Sequence, residues 1–365
     1  MRKSLYSVAT NITTEIKGTP AYIILFVSDK CPNKCSHCWF NQDWKVNNLE
    51  GETLKLDEIE NLSRHIKNVH FLSITGGEAF LRDDITEIVE VFYKNSNIHR
   101  FDIPSSGFDP DLILKRTEEI LSKISSTPFR VDISLDGTEE LHNEIRSNRS
   151  AFKNALETIK GLKRIKSTHN NFDLSIITTI SEKNHKNILE ISELIEDILP
   201  DGEWFVNLQR GDTPSINVSE QVLEAYIKAN EYIANRKKRM NYFGDKGHGI
   251  GKWLIAKNSL RRDIIIDVVR KNRKGGGCWA GAMNVVILSN GDVRACELLP
   301  DSFGNLRDFN YDLPKMLKSH VGKNIRNKIQ KTECICTHEC NLSVNIMMQP
   351  SCWIDLLKYR IKDNL

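Results

Sequence analysis

Strand-like and helix-like segments alternate regularly over residues 21–212 of this sequence. Six short β-rich runs, the first of them almost continuously apolar, are predicted as strands at residues 21–28, 70–75, 100–104, 129–135, 172–180 and 203–209. Helix-period segments separate them at residues 56–69, 84–94, 109–122, 151–166 and 184–199. Six βα repeats predict a partial (β/α)6 TIM-like barrel, with functional groups at the C-terminal ends of its parallel strands.

The pattern changes after residue 212. Two predicted helices, at residues 219–240 and 259–273, flank a glycine-rich loop at residues 244–251. Next, β-type alternation at residues 283–288 and 292–297 surrounds Asn290-Gly291, which predicts a tight β-hairpin. We therefore expect an N-terminal extension (1–20), an α/β barrel (21–212), a helical linker (213–273) and a small Cys-rich α+β domain (274–365).

Composition narrows the class of protein. The 365 residues are 40% hydrophobic and 27% charged, with a net charge of +3, which is typical of a folded globular chain. The charge is too small to indicate a nucleic-acid partner, and the basic run at 236–239 is most simply a solvated helix face. No segment has the length of a membrane span or the pattern of a signal peptide, so we expect a cytoplasmic protein with no membrane partner.

The cysteines carry the chemical information. There are nine, an odd number, so complete disulfide pairing is impossible, and their clustering indicates metal or redox chemistry. They form two groups that are nearly 240 residues apart in the sequence. The first group is Cys31, Cys35 and Cys38, and the second is Cys278, Cys296, Cys334, Cys336, Cys340 and Cys352.

The first group directly follows the first predicted strand. Three thiolates within eight residues can turn toward one corner of an iron–sulfur cluster. Structural metal sites normally have four protein ligands, whereas three leave an open position, as at catalytic sites. The alternative is a zinc site completed by His37 or by a distant ligand.

With these motifs the chain resembles the radical S-adenosylmethionine (SAM) superfamily. Cys31, Cys35 and Cys38 match its C-x3-C-x2-C signature, which holds a [4Fe–4S] cluster whose fourth iron binds SAM. Thr75-Gly-Gly-Glu78, after the second strand, looks like the family's GGE motif, with Ala79 in place of the usual proline. The stretch from Ser134 to Arg146 is similar to the family's S-L-D-G and H-x3-R elements.

The resemblance implies a SAM site along one rim of the barrel. Ser134 would face SAM, and the guanidinium of Arg146 would hold its carboxylate, a task suited to a planar cation. The implied SAM-binding residues are Gly76, Gly77, Glu78, Ser105, Ser134, Asp136 and Arg146. The implied chemistry is reductive cleavage of SAM to a 5′-deoxyadenosyl radical, and a flavodoxin or ferredoxin is the expected reducing partner.

The second cysteine group resembles the SPASM/twitch extensions of some radical SAM proteins. Gly291-Asp-Val-Arg-Ala-Cys296 fits their G-x4-C element, and Cys278 lies 18 positions earlier, across the hairpin. By this resemblance Cys278 and Cys296 hold an auxiliary [4Fe–4S] cluster together with two thiols from Cys334, Cys336 and Cys340. The full SPASM pattern has one more cysteine after the hairpin than this chain, so we expect one auxiliary cluster rather than two. A four-cysteine zinc ribbon is the alternative.

Substrate contacts are the least defined part of the sequence. Arg210, at the end of the sixth strand, is a candidate for holding an anionic substrate group, with a salt bridge as the alternative. His248 is a weaker candidate. Cys352 is by default an inert buried thiol, or else it donates a hydrogen atom to a substrate radical.

We expect a radical SAM enzyme that dehydrogenates or epimerises a small molecule such as a sugar or aminocyclitol. This preference rests on the predicted start of the barrel at residue 21, which leaves no room for an N-terminal leader-peptide-binding domain. The alternative is a radical SAM maturase of a ribosomal peptide. A non-catalytic iron–sulfur electron carrier is the competing class.

Overall fold

A computed structural model of the chain describes residues 12–38, 51–210, 218–239, 250–271, 277–331, 334 and 336–362. Its described strands form one nine-stranded sheet, in the order β6-β5-β4-β3-β2-β1-β7-β8-β9. They are β1 Tyr22–Ser28, β2 Phe71–Gly76, β3 Phe101–Ser105, β4 Phe129–Ser134, β5 Phe172–Ile180, β6 Glu203–Leu208, β7 Asn284–Ile287, β8 Asp292–Arg294 and β9 Ser302–Asn305.

The first six strands lie within one residue of their predicted bounds and pair in parallel. Alternate side chains of β1 point to opposite faces: Ile23 and Leu25 pack into the main core, whereas Ile24 and Phe26 pack against Val286 from β7. Because both faces of the strand are covered, its apolar run is almost continuous. The predicted parallel α/β fold of partial-barrel type is confirmed.

Helices follow the strands and cover the outer face of the sheet. The helices that the structure delimits are α1 Leu56–His65, α2 Ile85–Ser96, α3 Pro110–Lys123, α4 Glu139–Arg146, α5 Ala151–Thr168, α6 Ile188–Ile198, α7 Glu220–Arg239, α8 Ile250–Lys271, α9 Leu313–Lys318, α10 His320–Lys331, α11 Glu339–Met348 and α12 Pro350–Lys362. None of the described helices has the length and apolar character that a bilayer crossing requires.

The C-terminal region continues the barrel sheet. Strand β7 pairs in parallel with β1, and β8 and β9 follow it in antiparallel order. The predicted hairpin at Asn290-Gly291 is present, and Gly291 has a φ of +89°, a left-handed conformation that glycine adopts without strain. The third strand of this region, β9, was not predicted, because its sequence has no clear strand pattern. The domain boundaries stay predictions.

Three local predictions differ from the structure. Helix α1 ends at His65 rather than at residue 69, because Val69 is fully buried and bridges Ile98 beside the sheet. Helix α8 begins at Ile250 rather than at residue 259. The solvated face predicted at 236–239 is wrong for Arg236, which is 2% exposed and contacts Glu196 at 3.0 Å.

Candidate active site and auxiliary metal centre

The loop after β1 carries the first cysteine group. Cys35 is buried, while Cys31 and Cys38 keep part of their surface accessible. Electrostatic interactions join each pair among these thiols, so the loop brings all three together. The backbone amide of Asn33 donates to Cys31, which orients that sulfur locally. The structure therefore gathers the predicted trio at the C-terminal end of a barrel strand.

The C-terminal end of α4 holds this loop in place. The backbone amides of Lys34 and Ser36 donate to the carbonyls of Arg146 (3.2 Å) and Ile145 (2.9 Å). These carbonyls belong to the last turn of the helix, whose acceptors have no partner within the helix itself. The Ser147 hydroxyl also donates to the Lys34 carbonyl at 3.0 Å. Helix α4 was not among the predicted helices, yet it positions the cysteine loop.

Arg146 and Asp136 form a buried pair beside Cys35. The Arg146 Nε and Nη2 atoms donate to Asp136 Oδ2 at 2.8 and 2.5 Å, and Nη1 donates to Cys35 Sγ at 3.4 Å. Asp136 is fully buried, and its Oδ1 accepts the amide of Thr179 at 2.9 Å. Burial alone would raise the pKa of Asp136, but the charge of Arg146, the two nearby imidazoles and the Thr179 amide together outweigh it and lower the pKa to about 2.

These contacts give Arg146 partners within the chain. The predicted role of its guanidinium, holding the SAM carboxylate, stays a prediction, and so does the SAM-binding role of Asp136. His37 lies nearby, with Nε2 3.9 Å from Asp136 Oδ2, and its buried Nδ1 atom makes no hydrogen bond within the described structure. The imidazole is thus close to Asp136, the partner of Arg146.

The turn after β2 packs directly against the start of the cysteine loop. The amides of Gly77 and Glu78 donate to the carbonyls of Ser28 (2.7 Å) and Lys30 (2.8 Å). A Cβ atom on Gly76 would lie 2.2 Å from the Ser28 oxygen, and one on Gly77 would lie 2.3 Å from the Lys30 oxygen. Glycine is therefore required here by the approach of the cysteine loop.

Replacing Gly77 with alanine should displace that loop. The new methyl group would clash with backbone, which cannot rotate away as a side chain can, and we expect a destabilisation of about 1–3 kcal/mol. The expected result is weaker retention of iron by the N-terminal thiols, measured as iron released to a chelator over time. Unchanged iron release would contradict this explanation of the glycine.

Glu78 and the two serines of the rim have different environments. The Glu78 carboxylate is 2% exposed and accepts the amide and hydroxyl of Ser106, each at 2.8 Å, so it ties β2 to the turn after β3. The Ser105 hydroxyl accepts the Gly107 amide at 3.1 Å. Ser134 is the last residue of β4 and is partly exposed. SAM binding by these residues stays a prediction.

Four thiols of the second group lie near one another. Electrostatic interactions join every pair within the set Cys278, Cys296, Cys334 and Cys336. Cys278 precedes β7 and Cys296 follows β8, while Cys334 and Cys336 lie between α10 and α11. Residues far apart in the sequence therefore converge on one place. We call this set the C-terminal thiol quartet.

Hydrogen bonds to the sulfurs follow one pattern in the quartet. In three cases the sulfur accepts the backbone amide of the residue two positions later in the chain. The pairs are Ala280 to Cys278 at 3.5 Å, Leu298 to Cys296 at 3.4 Å, and His338 to Cys336. Cys31 in the N-terminal loop has the same arrangement. In addition, Asn341 Nδ2 donates to Cys296 at 3.2 Å. Donors directed at the sulfur stabilise a thiolate and tune a cluster that is bound to it.

The other two thiols lie in different surroundings. Cys340 is in the first turn of α11, where the amide of Leu342 bonds to His338 within the helix, and its Sγ accepts the Tyr22 hydroxyl at 3.3 Å. Its main electrostatic partners are His338, Arg210 and Glu297. Cys352 packs against the apolar cluster of Ala256, Leu260, Ile346 and Leu356. A role for Cys340 as cluster ligand, or for Cys352 as hydrogen donor, stays a prediction.

The anion that Arg210 contacts in the structure is Glu297 of the same chain. Arg210 Nη1 donates to Glu297 Oε2, and the Glu297 carboxylate also contacts His338 Nε2. This ion pair is the alternative considered for Arg210, although it is buried rather than at the surface, since Glu297 is 8% exposed. Binding of a substrate anion by Arg210 stays a prediction. His248 lies outside the described residues.

Both thiol sets fit the clusters that the sequence implies. Cys278 and Cys336 keep part of their surface accessible, so their sulfurs are not fully enclosed by the protein. Among the described residues, no three His, Cys, Asp or Glu side chains are placed so that they could bind one metal ion together. The thiolates of a [4Fe–4S] cluster bind separate irons, so they need not converge on one point. Burial raises the pKa of Cys31 and Cys334 to about 11, so metal binding would release protons.

Sequence reasoning missed several residues around the quartet. Glu297, His338, Asn341 and Tyr22 were not candidates, although they surround Cys296 and Cys340. The only signal available was adjacency: Glu297 follows Cys296, and His338 lies between two cysteines. Such adjacency does not show where a side chain points.

Comparisons with known proteins agree with this geometry. The Radical SAM superfamily profile matches residues 25–195. The Bacillus subtilis protein AlbA, described as an antilisterial bacteriocin subtilosin biosynthesis protein, is 23% identical over 319 residues, which are 85% of this chain and 62% of AlbA. The Bacillus subtilis sporulation killing factor maturation protein SkfB is 23% identical over 332 residues, covering 89% of this chain and 70% of SkfB.

A solved structure shows the same fold. The chain aligns with anSMEcpe with bound AdoMet at a TM-score of 0.58 and 14% identity, covering 94% of this chain and 97% of that chain. The chain thus spans less than two thirds of the length of AlbA and nearly all of anSMEcpe. SAM and [4Fe–4S] clusters, including an auxiliary centre, are the cofactors of such proteins. Residues 25–195 of the chain match the Radical SAM superfamily, and its Cys-rich C-terminal region fits an extension of SPASM/twitch type.

Proposed function

We propose that this chain is a radical SAM enzyme that modifies a peptide. The names of AlbA and SkfB describe the biosynthesis or maturation of a bacteriocin and of a killing factor, and each match covers most of this chain. The fold is also that of anSMEcpe, which has been solved with AdoMet and the Cp18Cys peptide bound, at a TM-score of 0.57. These likenesses favour the peptide alternative over the small sugar-like or aminocyclitol-like substrate.

The single observation that carries the proposal is the division of the thiols into a trio and a quartet. Cys31, Cys35 and Cys38 would hold a [4Fe–4S] cluster and leave one iron for SAM, while the quartet would fill all four positions of an auxiliary cluster. When bound, the first cluster and SAM supply a one-electron cleavage that yields a radical able to remove hydrogen from an unactivated carbon.

The residues of the chain supply support and orientation. Arg146 donates to Cys35 and is held by Asp136, so the cluster loop has a fixed electrostatic partner. Glu78 ties two strand ends together below the rim. Such fixed contacts would hold the cluster loop and the strand ends in one arrangement, as a positioned radical reaction requires.

The first test is anaerobic reconstitution followed by incubation with SAM and a chemical reductant. We expect about eight irons per chain and formation of 5′-deoxyadenosine. An iron–sulfur electron carrier would bind iron and yield no 5′-deoxyadenosine. Zinc in place of iron would contradict the proposal.

The second test addresses the substrate class. Synthetic peptides encoded next to this gene should stimulate SAM cleavage and, by mass spectrometry, lose two hydrogen atoms, or take up deuterium from D2O if the reaction is an epimerisation. Free sugars and aminocyclitols serve as the comparison. Stimulation by these small molecules but not by the peptides would overturn the peptide assignment.

Iron content tests the ligand assignment. Replacing Cys336 with alanine should remove about four irons per chain and leave the SAM-binding cluster, because a thiol of the quartet is lost. The matched substitution Cys340→Ala, only four residues away, should leave about eight. Loss of iron from the Cys340 variant, with full retention in the Cys336 variant, would reverse the assignment.

A further inference from the structure

Glu297 connects the barrel to the C-terminal thiol quartet. It directly follows Cys296, and its Oε2 atom contacts both Arg210 Nη1 and His338 Nε2. Arg210 lies two residues beyond the end of β6, and His338 lies two residues beyond Cys336. One buried carboxylate therefore joins the end of β6 to two of the three segments that carry the quartet.

A closed series of contacts leads from this carboxylate to a sulfur. Glu297 holds the imidazole of His338, whose Nδ1 atom accepts the backbone amide of Asn341 at 3.4 Å. The side-chain amide of Asn341 then donates to Cys296 Sγ at 3.2 Å. Glu297 is attached to Cys296 by the chain itself, so the contacts return to the residue from which they started.

The charges of this group are fixed and close to the quartet. The Glu297 carboxylate is buried and contacts the Arg210 guanidinium and the His338 imidazole, so its charge is paired inside the protein. Charges in a protein interior interact more strongly than they do in water. A negative charge beside a cluster opposes its reduction and a positive charge favours it, since reduction adds an electron.

We propose that Glu297 and Arg210 are positioning residues that set the reduction potential of an auxiliary cluster bound through Cys296. Glu297 lowers the potential and Arg210 raises it, and their contact balances the two effects. The inference rests on the proposed function, because it requires the auxiliary cluster. It assigns to Arg210 a structural and electrostatic role in place of a contact with substrate.

The test is a redox titration of the reconstituted protein, followed by electron paramagnetic resonance. Glu297→Gln removes the negative charge and keeps the shape, so the midpoint potential of the auxiliary cluster should rise. Arg210→Gln removes the positive charge, so the potential should fall. The SAM-binding cluster should keep its potential in both variants. General damage to packing would move both variants in the same direction.

Glu203→Gln is the matched control. Glu203 is also 8% exposed, lies on β6 and pairs with an arginine, with Oε2 3.4 Å from Arg130 Nη1, but this pair lies within the barrel sheet. The Glu203→Gln substitution should leave the midpoint potential of the auxiliary cluster unchanged. If either test variant fails to load iron, Glu297→Asp and Arg210→Lys, which keep the charges, should load it and retain the wild-type potential.

The outcomes separate the two proposals. If the wild-type protein holds two clusters, three results would overturn this inference alone. They are midpoint potentials that shift in the same direction in the Glu297 and Arg210 variants, potentials that do not shift, and an equal shift in the Glu203 control. About four irons and no auxiliary signal in the wild-type protein would overturn the auxiliary centre and this inference with it.

Discussion

Replacing Cys35 with alanine is expected to abolish formation of 5′-deoxyadenosine and to remove about four irons per chain. Cys35 is the buried member of the N-terminal trio and the one that Arg146 contacts. With only two thiols left, the loop cannot hold three irons of a cluster, and SAM loses its binding iron. The measurements are chromatographic detection of 5′-deoxyadenosine and iron analysis of the anaerobically reconstituted variant.

Cys352→Ala is the control for iron content. Cys352 lies in an apolar cluster of side chains, so its loss should leave about eight irons and intact SAM cleavage. The Cys35 variant should also keep the spectroscopic signal of the auxiliary cluster. Continued SAM cleavage without Cys35 would show that the N-terminal trio is not the catalytic site.

Replacing Asp136 with asparagine is expected to lower the stability of the fold by about 3–5 kcal/mol. The substitution leaves the Arg146 guanidinium buried without its counter-charge, and it also disturbs the donor to Cys35. The measurement is the urea midpoint, followed by tryptophan fluorescence, for the apoprotein and for the reconstituted protein. Iron should also be lost faster from the N-terminal site.

Glu144→Gln is the matched control for this effect. Glu144 lies on α4, the helix of Arg146, but its pair with Lys183 is largely exposed, with the Glu144 side chain 62% accessible. Exposed pairs contribute about 0–1 kcal/mol, so the midpoint should hardly move. Equal effects of the two substitutions would show that the buried pair has no special role.

The same pair predicts a pH dependence. The pKa of Asp136 is lowered to about 2 in the fold, from an ordinary value near 3.8. Its contribution to stability is therefore complete above the ordinary value and is lost as the pH falls from there toward 2. The difference in urea midpoint between wild type and Asp136→Asn should shrink over this acidic range. A constant difference would contradict the charge-based explanation.

Local patterns sufficed where the relevant residues are neighbours in the sequence. The trio lies within eight residues of one loop, and its position after β1 follows from the β-rich run before it. The hairpin at Asn290-Gly291 and the six parallel strands likewise depend on short-range periodicity and turn chemistry. These features determined the fold class, and they predict where the SAM-binding cluster would lie.

The contacts between helix α4 and the cysteine loop could not be predicted from such local patterns. The Asp136–Arg146–Cys35 contacts join residues from the end of β4, from α4 and from the loop after β1. Motif resemblance named these residues, but it did not show that Arg146 already has a carboxylate partner within the chain. Burial creates that pairing, because a buried guanidinium requires a counter-charge.

The sequence by itself determined that nine thiols divide into two groups and that the first follows a barrel strand. Only the tertiary structure decided which thiols of the second group meet, because Cys278, Cys296, Cys334 and Cys336 come from three separate segments. Cys340 is close in sequence to Cys334 and Cys336, but it lies inside α11. There the backbone amide of Leu342 donates to the His338 carbonyl of the same helix rather than to the Cys340 sulfur. The direction of its sulfur is therefore set by helix geometry and long-range packing, which spacing alone does not reveal.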